Sequence, residues 1–197
     1  DVERSRGLGD VYKRQARKAI DAAFGGWTST APYARVLQTW ADIPPKRILI
    51  DTPDKENGVY LARQNIRLRD DDPDYPALAV ANYLLGGSSL KSRLADRIRQ
   101  KDGLSYGINS GLQVGAISDA GYFSVRAIAA PQNLDKVDAA VREEIALLIK
   151  DGFTEEELLR AKSGILQQRN QQRAGDGGIA TSWSALMNLD RSFLWQQ

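Results

Sequence analysis

The side chains best suited to chemistry lie in a few short stretches between residues 70 and 106. A basic set, formed by Arg93, Arg97, Arg99 and Lys101, lies just before Tyr106. Such a set could contact nucleic-acid phosphates, but a stacking platform of several aromatic residues is missing. Lys and Arg total 27 against 25 Asp and Glu, a net charge of +2, which gives no general attraction to polyanions. We therefore predict no nucleic-acid partner and interpret most of the basic set as a solvated helix face.

Two further stretches suggest bound ions. An acidic run is formed by Asp70, Asp71, Asp72 and Asp74. It fails the test for a calcium loop of the EF-hand type, since Tyr75 would stand at the glycine position and Ala81 at the bidentate glutamate position. The glycine-bounded residues 103–107 lack the Gly-Lys-Ser/Thr of a phosphate loop and lead into a strand. We interpret the acidic run as a solvated loop before a helix N-terminus, where negative charge is favourable.

The chain contains no histidine and no cysteine. It therefore lacks the commonest general base and the commonest zinc ligand, and it cannot form a thiolate zinc site, a disulfide or a cysteine nucleophile. The motif H-x-x-E-H and its mirror forms are excluded in this chain for the same reason. We predict that the chain holds no metal and has no catalytic residue of its own.

The elements that position these side chains follow from hydrophobic periodicity. With 42% apolar and 26% charged residues, the composition is that of a soluble globular domain. The pattern predicts an α+β domain in the order β-β-α-α-β-β-α-α, with an antiparallel or mixed sheet and helices packed on one face. The expected strands are 47–52, 59–68, 104–115 and 120–130; the expected helices are 70–87, 88–103, 133–152 and 153–173, with a helix at 16–27 before them and helical spacing again at 179–190.

Several helix ends carry recognisable signals. Asp72 or Asp74 can cap the helix at 70–87, which Gly86-Gly87 ends. Ser88 or Ser89 can cap the next helix, whose apolar stripe is Leu90, Leu94 and Ile98. Thr154 and Glu157 form a capping box at the start of the helix at 153–173.

The expected hairpin strand at 104–115 alternates, so that its apolar positions share one parity, broken by Ser110: Leu104, Tyr106, Ile108, Leu112 and Val114.

Residues 74–110 resemble the pitrilysin/insulinase family of zinc peptidases, in the type of half-domain found on the C-terminal side. The matching pieces, in order, are Leu85-Gly86-Gly87, Ser92-Arg93-Leu94, Ile98-Arg99-Gln100-Lys101 and Gly103-Leu104-Ser105-Tyr106. The likeness continues through residues 130–133 and 151–162 and covers roughly residues 16–195. No single piece is specific, but four in the right order make a strong signal.

The resemblance implies half of a clam-shell chamber around a peptide substrate. Zinc and the catalytic glutamate would lie in a catalytic half-domain, in the same parent chain or in a partner subunit. In many members the other half supplies an arginine and a tyrosine that reach toward bound peptide, and the matching residues here are Arg99 and Tyr106. The alternatives stay open at this point: Tyr106 shares the parity of Ile108 and could be a core residue, and Arg99 could be a solvated helix end.

The resemblance also yields expectations about organisation and location. We expect residues 1–15 to be a non-native leader, residues 16–46 the tail of a preceding half-domain and a linker, and residues 47–197 the inactive domain, truncated at its end. No apolar run approaches the ~20 residues of a membrane-spanning helix, and no signal peptide is recognisable. The pattern is most similar to the last domain of long bacterial insulinase-like proteins, which implies a periplasmic parent. The rival function is that of a scaffold domain in a catalytically inactive relative.

Overall fold

The computed structural model describes residues 2–88 and 91–196. It divides into two compact units, one reaching to Val36 and the other running from Leu37 onward. The first unit contains helix α1, Val2–Phe24, which ends where Gly25 donates a backbone hydrogen bond to the carbonyl of Asp21. The predicted helix at 16–27 is formed but ends at Phe24, and it runs back through residues 2–15, beyond the predicted start at residue 16.

The second unit is built on a three-stranded antiparallel sheet. Its strands are β1 (Gly58–Arg67), β2 (Ser105–Gln113) and β3 (Ala120–Ala129), and their order across the sheet is β1-β3-β2. The β2–β3 hairpin was predicted from alternation, and β1 joins its far side through ten paired positions from Gly58↔Ala129 to Arg67↔Ala120. Arg69 and Gly115 form an isolated parallel bridge beyond the strand ends.

The helices follow the predicted order around this sheet. After β1 come α2 (Tyr75–Asn82) and two π-helical segments, which we call π1 (Tyr83–Gly87) and π2 (Ala95–Lys101). After β3 come a 3₁₀ turn (Pro131–Asn133), α3 (Leu134–Asp151), α4 (Glu155–Gln172), α5 (Asp176–Met187) and a 3₁₀ turn (Phe193–Gln196). None of the helices among the described residues is long and apolar enough to cross a membrane.

One face of the sheet carries the hydrophobic core. Inward positions of β2 and β3, such as Ile108, Val125 and Ala127, pack against Ile98 of π2 and Val137 of α3. Leu94, Ile98 and Val137 are completely buried, and burying each such side chain contributes roughly 1.5–3 kcal/mol. The predicted α+β class, with helices on one face of an antiparallel sheet, is confirmed.

The strand predicted at residues 47–52 is not formed. In the described part of the chain no helix or strand lies between Phe24 and Gly58, and Ile48, Leu49 and Ile50 are 68%, 81% and 78% exposed. Arg47 is instead held by Asp135 at the start of α3, with 2.5 Å between Nη2 and Oδ1. A short apolar run forms a strand only when a neighbouring strand supplies the hydrogen bonds of the ladder. Among the described residues, β1 pairs only with β3.

Two predicted helix caps differ from the structure. Ser92 stands before the helical turn at 93–94 that leads into π2, and its hydroxyl accepts from the backbone N–H of Ala95 at 3.3 Å. Ser88, one of the two predicted caps, follows the end of π1 and donates to the carbonyl of Lys91. The other candidate, Ser89, and the stripe residue Leu90 lie outside the described residues.

At α2 the N-cap position belongs to Asp74, as predicted, but its side chain makes no capping hydrogen bond. Asp72 accepts from the backbone N–H of Asp74 at 2.9 Å and so shapes the turn that leads into the helix. The capping box of Thr154 and Glu157 at α4 is confirmed in both of its hydrogen bonds.

Candidate functional site

The first candidate residue, Arg99, lies on the outer side of π2. The opposite side of this segment is anchored by the fully buried Ile98, whose carbonyl accepts from the backbone N–H of Leu104 at 2.9 Å. Arg99 is exposed and forms no ion pair or side-chain hydrogen bond with another described residue. Its guanidinium therefore keeps all its donors available for a ligand.

The second candidate, Tyr106, is the extra residue of a β-bulge. The register of β2 on β3 shifts between Ser105 and Gly107, which pair with the adjacent positions Ala129 and Ile128. The bulge breaks the simple alternation, so that Tyr106 is 85% exposed although Ile108, of the same parity, is only 9% exposed. The interpretation of Tyr106 as a core residue is therefore wrong.

Ser105 holds the bulge in place. Its side chain is buried, and its hydroxyl donates to the carbonyl of Ile128 at 2.7 Å and accepts from the backbone N–H of Gly107 at 3.2 Å. These bonds replace the ladder contacts that the extra residue disrupts. The sequence alone gave no role to Ser105, because alternation cannot show where a strand gains one residue.

Arg99 and Tyr106 thus flank the short turn between π2 and β2. Gly103 in that turn has φ of 62°, a left-handed conformation that glycine adopts without strain. Asp102 beside it accepts from Arg97 through both carboxylate oxygens, at 2.7 Å each. The turn is therefore fixed on both sides by hydrogen bonds.

The rest of the predicted basic face is not simply solvated. Arg97 donates to Glu143 of α3 at 3.0 Å as well as to Asp102, and its hydrogen bond to Glu143 is the main cause that raises the pKa of Arg97. The basic stretch is therefore divided between a guanidinium that joins π2 to α3 and an available guanidinium at Arg99.

Arg93 joins the turn before π2 to the start of α4. It forms a two-pronged pair with Glu157, at 2.9 and 2.8 Å, and donates to the carbonyl of Gly152 at 2.9 Å. Its guanidinium also stacks over the ring of Phe153, 4.9 Å from the centroid. The hydrogen bond from Arg93 is the main cause that lowers the pKa of Glu157 to about 2. The prediction of a solvated arginine here is wrong.

Two members of the acidic run are paired with arginines. Asp70 accepts from Arg191 at 2.6 and 3.0 Å, and both side chains are largely buried. Asp71 is held by Arg69, and that hydrogen bond is the main cause that lowers the pKa of Asp71. Across the described residues no group of three or more His, Cys, Asp or Glu is placed to hold a metal ion.

A shallow pocket lies along α5. Its lining includes Ile179, Trp183 and Met187, which recur every fourth residue and are each at least 40% exposed. All the lining residues belong to this one helix, so no second element brings a polar group to face the hollow. The pocket does not define a small-molecule site.

The comparisons with known proteins agree with this domain architecture. A family model, the peptidase M16 inactive domain, matches residues 7–165, which is most of the chain. The chain therefore belongs to the peptidase M16 inactive-domain family. This membership confirms the resemblance to pitrilysin- and insulinase-type zinc peptidases and the non-catalytic type of half-domain.

Individual relatives cover the chain to different extents. It is 28% identical over 163 residues to the probable inactive metalloprotease YmfF of Bacillus subtilis, which covers 82% of this chain and 36% of that protein. It is 38% identical over 89 residues to the uncharacterized zinc protease ML0855 of Mycobacterium leprae, covering 45% of this chain and 19% of that protein. The chain thus spans about a third or less of these relatives.

Among solved structures, the periplasmic protease PqqL of Escherichia coli superimposes with a TM-score of 0.62 at 16% identity. The superposition covers 87% of this chain and 18% of that one, and at this identity it shows the fold alone.

Proposed function

We propose that this chain is the substrate-binding, non-catalytic half-domain of a zinc-dependent metalloendopeptidase that acts on peptides. The observation that carries the proposal is Tyr106, a large side chain 85% exposed on a bulge that buried hydrogen bonds hold in place. The bulge thus holds an exposed aromatic ring at a fixed place on the sheet, where a ligand can reach it. Arg99 lies across the same turn, exposed and without a side-chain partner among the described residues.

These two residues suit the recognition of a peptide. The planar guanidinium of Arg99 can donate to a peptide carbonyl or to a carboxylate. The phenol of Tyr106 can donate to a substrate carbonyl, or to the oxyanion that develops when water attacks that carbonyl. Neither residue can activate the water, so both would act on a peptide that another half-domain cleaves.

The catalytic half would supply zinc and the general base, from the same parent chain or from a partner subunit. The absence of histidine and cysteine from this chain, together with its membership of an inactive-domain family, supports that division. We place the parent in the periplasm, and the periplasmic protease among the structural neighbours supports this location.

The test is peptidase activity of the full-length protein together with its catalytic half. We expect Arg99→Ala or Tyr106→Phe to lower kcat/KM by about 10²-fold with unchanged zinc content, because each variant removes a donor to developing charge. Matched controls are Arg160→Ala on the exposed side of α4 and Tyr33→Phe, whose ring is 82% exposed in the other unit.

Unchanged activity in both site variants would contradict the proposal, and so would an equal loss in the two controls.

A second candidate function is that of a scaffold domain in a catalytically inactive relative. The observation that favours it is that the relative covering 82% of this chain carries the name of an inactive metalloprotease. Zinc analysis of the purified full-length protein and its partner separates the two functions: stoichiometric zinc with peptide cleavage supports the peptidase, and neither zinc nor cleavage supports the scaffold.

A further inference from the structure

The face of the sheet turned away from the core is open and carries positive charge without acidic residues. From the pairing register, its fourteen outward positions are Val59, Leu61, Arg63, Asn65 and Arg67 on β1; Gly107, Asn109, Gly111 and Gln113 on β2; and Ala120, Tyr122, Ser124, Arg126 and Ile128 on β3. Three are arginine, and none is aspartate or glutamate. We call these fourteen positions the open face.

The open face begins beside Tyr106. Its first row across the sheet is Gly107, Ile128 and Val59, and its second row is Asn109, Arg126 and Leu61. Successive rows are about 7 Å apart along a strand. A peptide in contact with Tyr106 would therefore pass an apolar row first and meet the guanidinium of Arg126 one row later.

Two of the three arginines are not neutralised by a described carboxylate. Arg126 is exposed and forms no ion pair within the described ranges. Arg63 stacks on Tyr122, 3.7 Å from the ring centroid, and likewise has no ion pair there. The third, Arg67, is paired with Asp119 at 2.8 Å. The register sets Arg126 opposite Leu61 and Arg63 opposite Ser124, so Arg63 and Arg126 are diagonal neighbours about 7–8 Å apart.

The far end of the open face is closed by the linker. Asn65 donates to the carbonyl of Ala41 at 3.2 Å, and Ser118 bonds the carbonyl of Gln38. The exposed area thus extends from Tyr106 to the row of Arg63. Three small residues lie in this area, Ser124 directly opposite Arg63 and, on β2, Gly107 and Gly111.

We infer that the open face binds the acidic part of a peptide substrate, with Arg63 and Arg126 receiving its carboxylates while Tyr106 and Arg99 contact the segment to be cut. The inference rests on the proposed function and adds a substrate class to it. Charge complementarity carries it: the face presents two cations that no described carboxylate pairs with, and a basic peptide would meet repulsion at both.

The experiment measures binding by the full-length protein, with its metal chelated so that peptide is not cut. Three fluorescently labelled peptides have the same central segment and differ only at four positions outside it. These four positions are all Glu in the first peptide, all Gln in the second and all Lys in the third. Fluorescence anisotropy at low and at high ionic strength gives each Kd. We expect the Glu peptide to bind more tightly than the Gln peptide at low salt, with the Lys peptide weakest, and the preference to shrink at high salt.

The deciding variant combines Arg63→Gln with Arg126→Gln, and we expect it to lose about fivefold in affinity for the Glu peptide while affinity for the Gln peptide stays unchanged. Charge-preserving Arg63→Lys with Arg126→Lys should keep the preference. The matched control is Lys136→Gln with Lys150→Gln, which removes the same charge from exposed positions of α3 on the other side of the sheet.

The possible outcomes distinguish the inference about the open face from the proposed function on which it rests. Equal affinity for Glu and Gln peptides, or equal loss in the α3 control, would overturn the inference while the proposed function stands. Failure to bind any of the three peptides would remove the proposed function itself.

Discussion

At the scale of single residues, the structure separates arginines that hold the fold from arginines that are free to bind. Arg93 and Arg97 were grouped with Arg99 by sequence because all three fall on one basic stretch. Each of the first two joins elements that are distant in sequence, whereas Arg99 forms no ion pair or side-chain hydrogen bond with another described residue. Family resemblance could predict the candidate pair Arg99 and Tyr106, but the partners of Arg93 and Arg97, 64 and 46 residues away, cannot be read from local spacing.

The pair of Arg93 and Glu157 should make stability depend on pH. The pKa of Glu157 falls from its ordinary 4.5 to about 2 in the folded protein. The unfolded chain therefore takes up this proton first, so the contribution is complete above pH 4.5 and is lost as the pH falls toward 2. We expect Glu157→Gln to cost about 2 kcal/mol at neutral pH, and the cost to shrink below pH 4.5. Urea unfolding across this pH range measures it.

The control for that measurement is Glu155→Gln, which removes an exposed carboxylate from the same helical turn. A cost for Glu157→Gln that stays constant from neutral pH down to pH 3 would show that the carboxylate is not held by Arg93.

At the scale of elements, the π-helical segment π1 brings Gly86 against the sheet. The predicted helix end at Gly86-Gly87 is correct, but the reason for glycine is packing as well as termination. A Cβ on Gly86 would lie 2.6 Å from Oγ of Ser110 and 2.7 Å from its backbone nitrogen. Contact this close to backbone cannot be relieved by a side-chain rotation, so π1 can approach β2 only without a side chain at this position.

We therefore expect Gly86→Ala to destabilise the domain by about 1–3 kcal/mol, because π1 must move away from β2 and the core beneath it loosens. The control is Gly111→Ala on β2, the strand that π1 approaches. A Cβ at Gly111 would meet only Oγ of Ser124, at an ordinary 3.6 Å. Thermal or urea unfolding of both variants tests this, and equal stability of the two would contradict the close approach.

The elements also show where periodicity succeeds and where it fails. The hairpin, α3 and α4 were predicted because each has its own repeating pattern and end signals, and all three are formed. The strand at 47–52 was predicted from composition alone. A strand there would need a neighbouring strand to pair with, and the sequence of the segment does not specify one. The prediction of this strand failed for that reason.

At the scale of the whole domain, the last described residues are tied back to the loop after β1. Arg191 bonds Asp70, 121 positions away in sequence, and stacks over Trp195 at 3.9 Å from the ring centroid. The hydrogen bonding of Arg191 to the Asp70 carboxylate is the main cause that raises the pKa of Arg191. This pair closes the domain, and neither the acidic run nor the terminal segment revealed it in the sequence.

We expect Arg191→Gln to release residues 188–196 and to raise their rate of proteolytic cleavage about tenfold, since losing a partly buried ion pair costs on the order of 1–3 kcal/mol of local stability. Limited proteolysis followed by mass spectrometry locates the cuts. Arg160→Gln on the exposed side of α4 should leave the rate unchanged. Cleavage that stays slow in Arg191→Gln would show that the segment is held by other contacts.

The edge of β1 that does not face β3 is relevant to aggregation into fibrils. Among the described residues β1 pairs on one side only, and the apolar, exposed Ile48, Leu49 and Ile50 precede it by a few residues. Unpaired main-chain groups beside an apolar run are a template for intermolecular cross-β growth. Arg63 on this edge strand opposes that growth, because stacking identical strands would superimpose like charges. Arg63, which suits an acidic ligand, would thus also serve as a gatekeeper against aggregation.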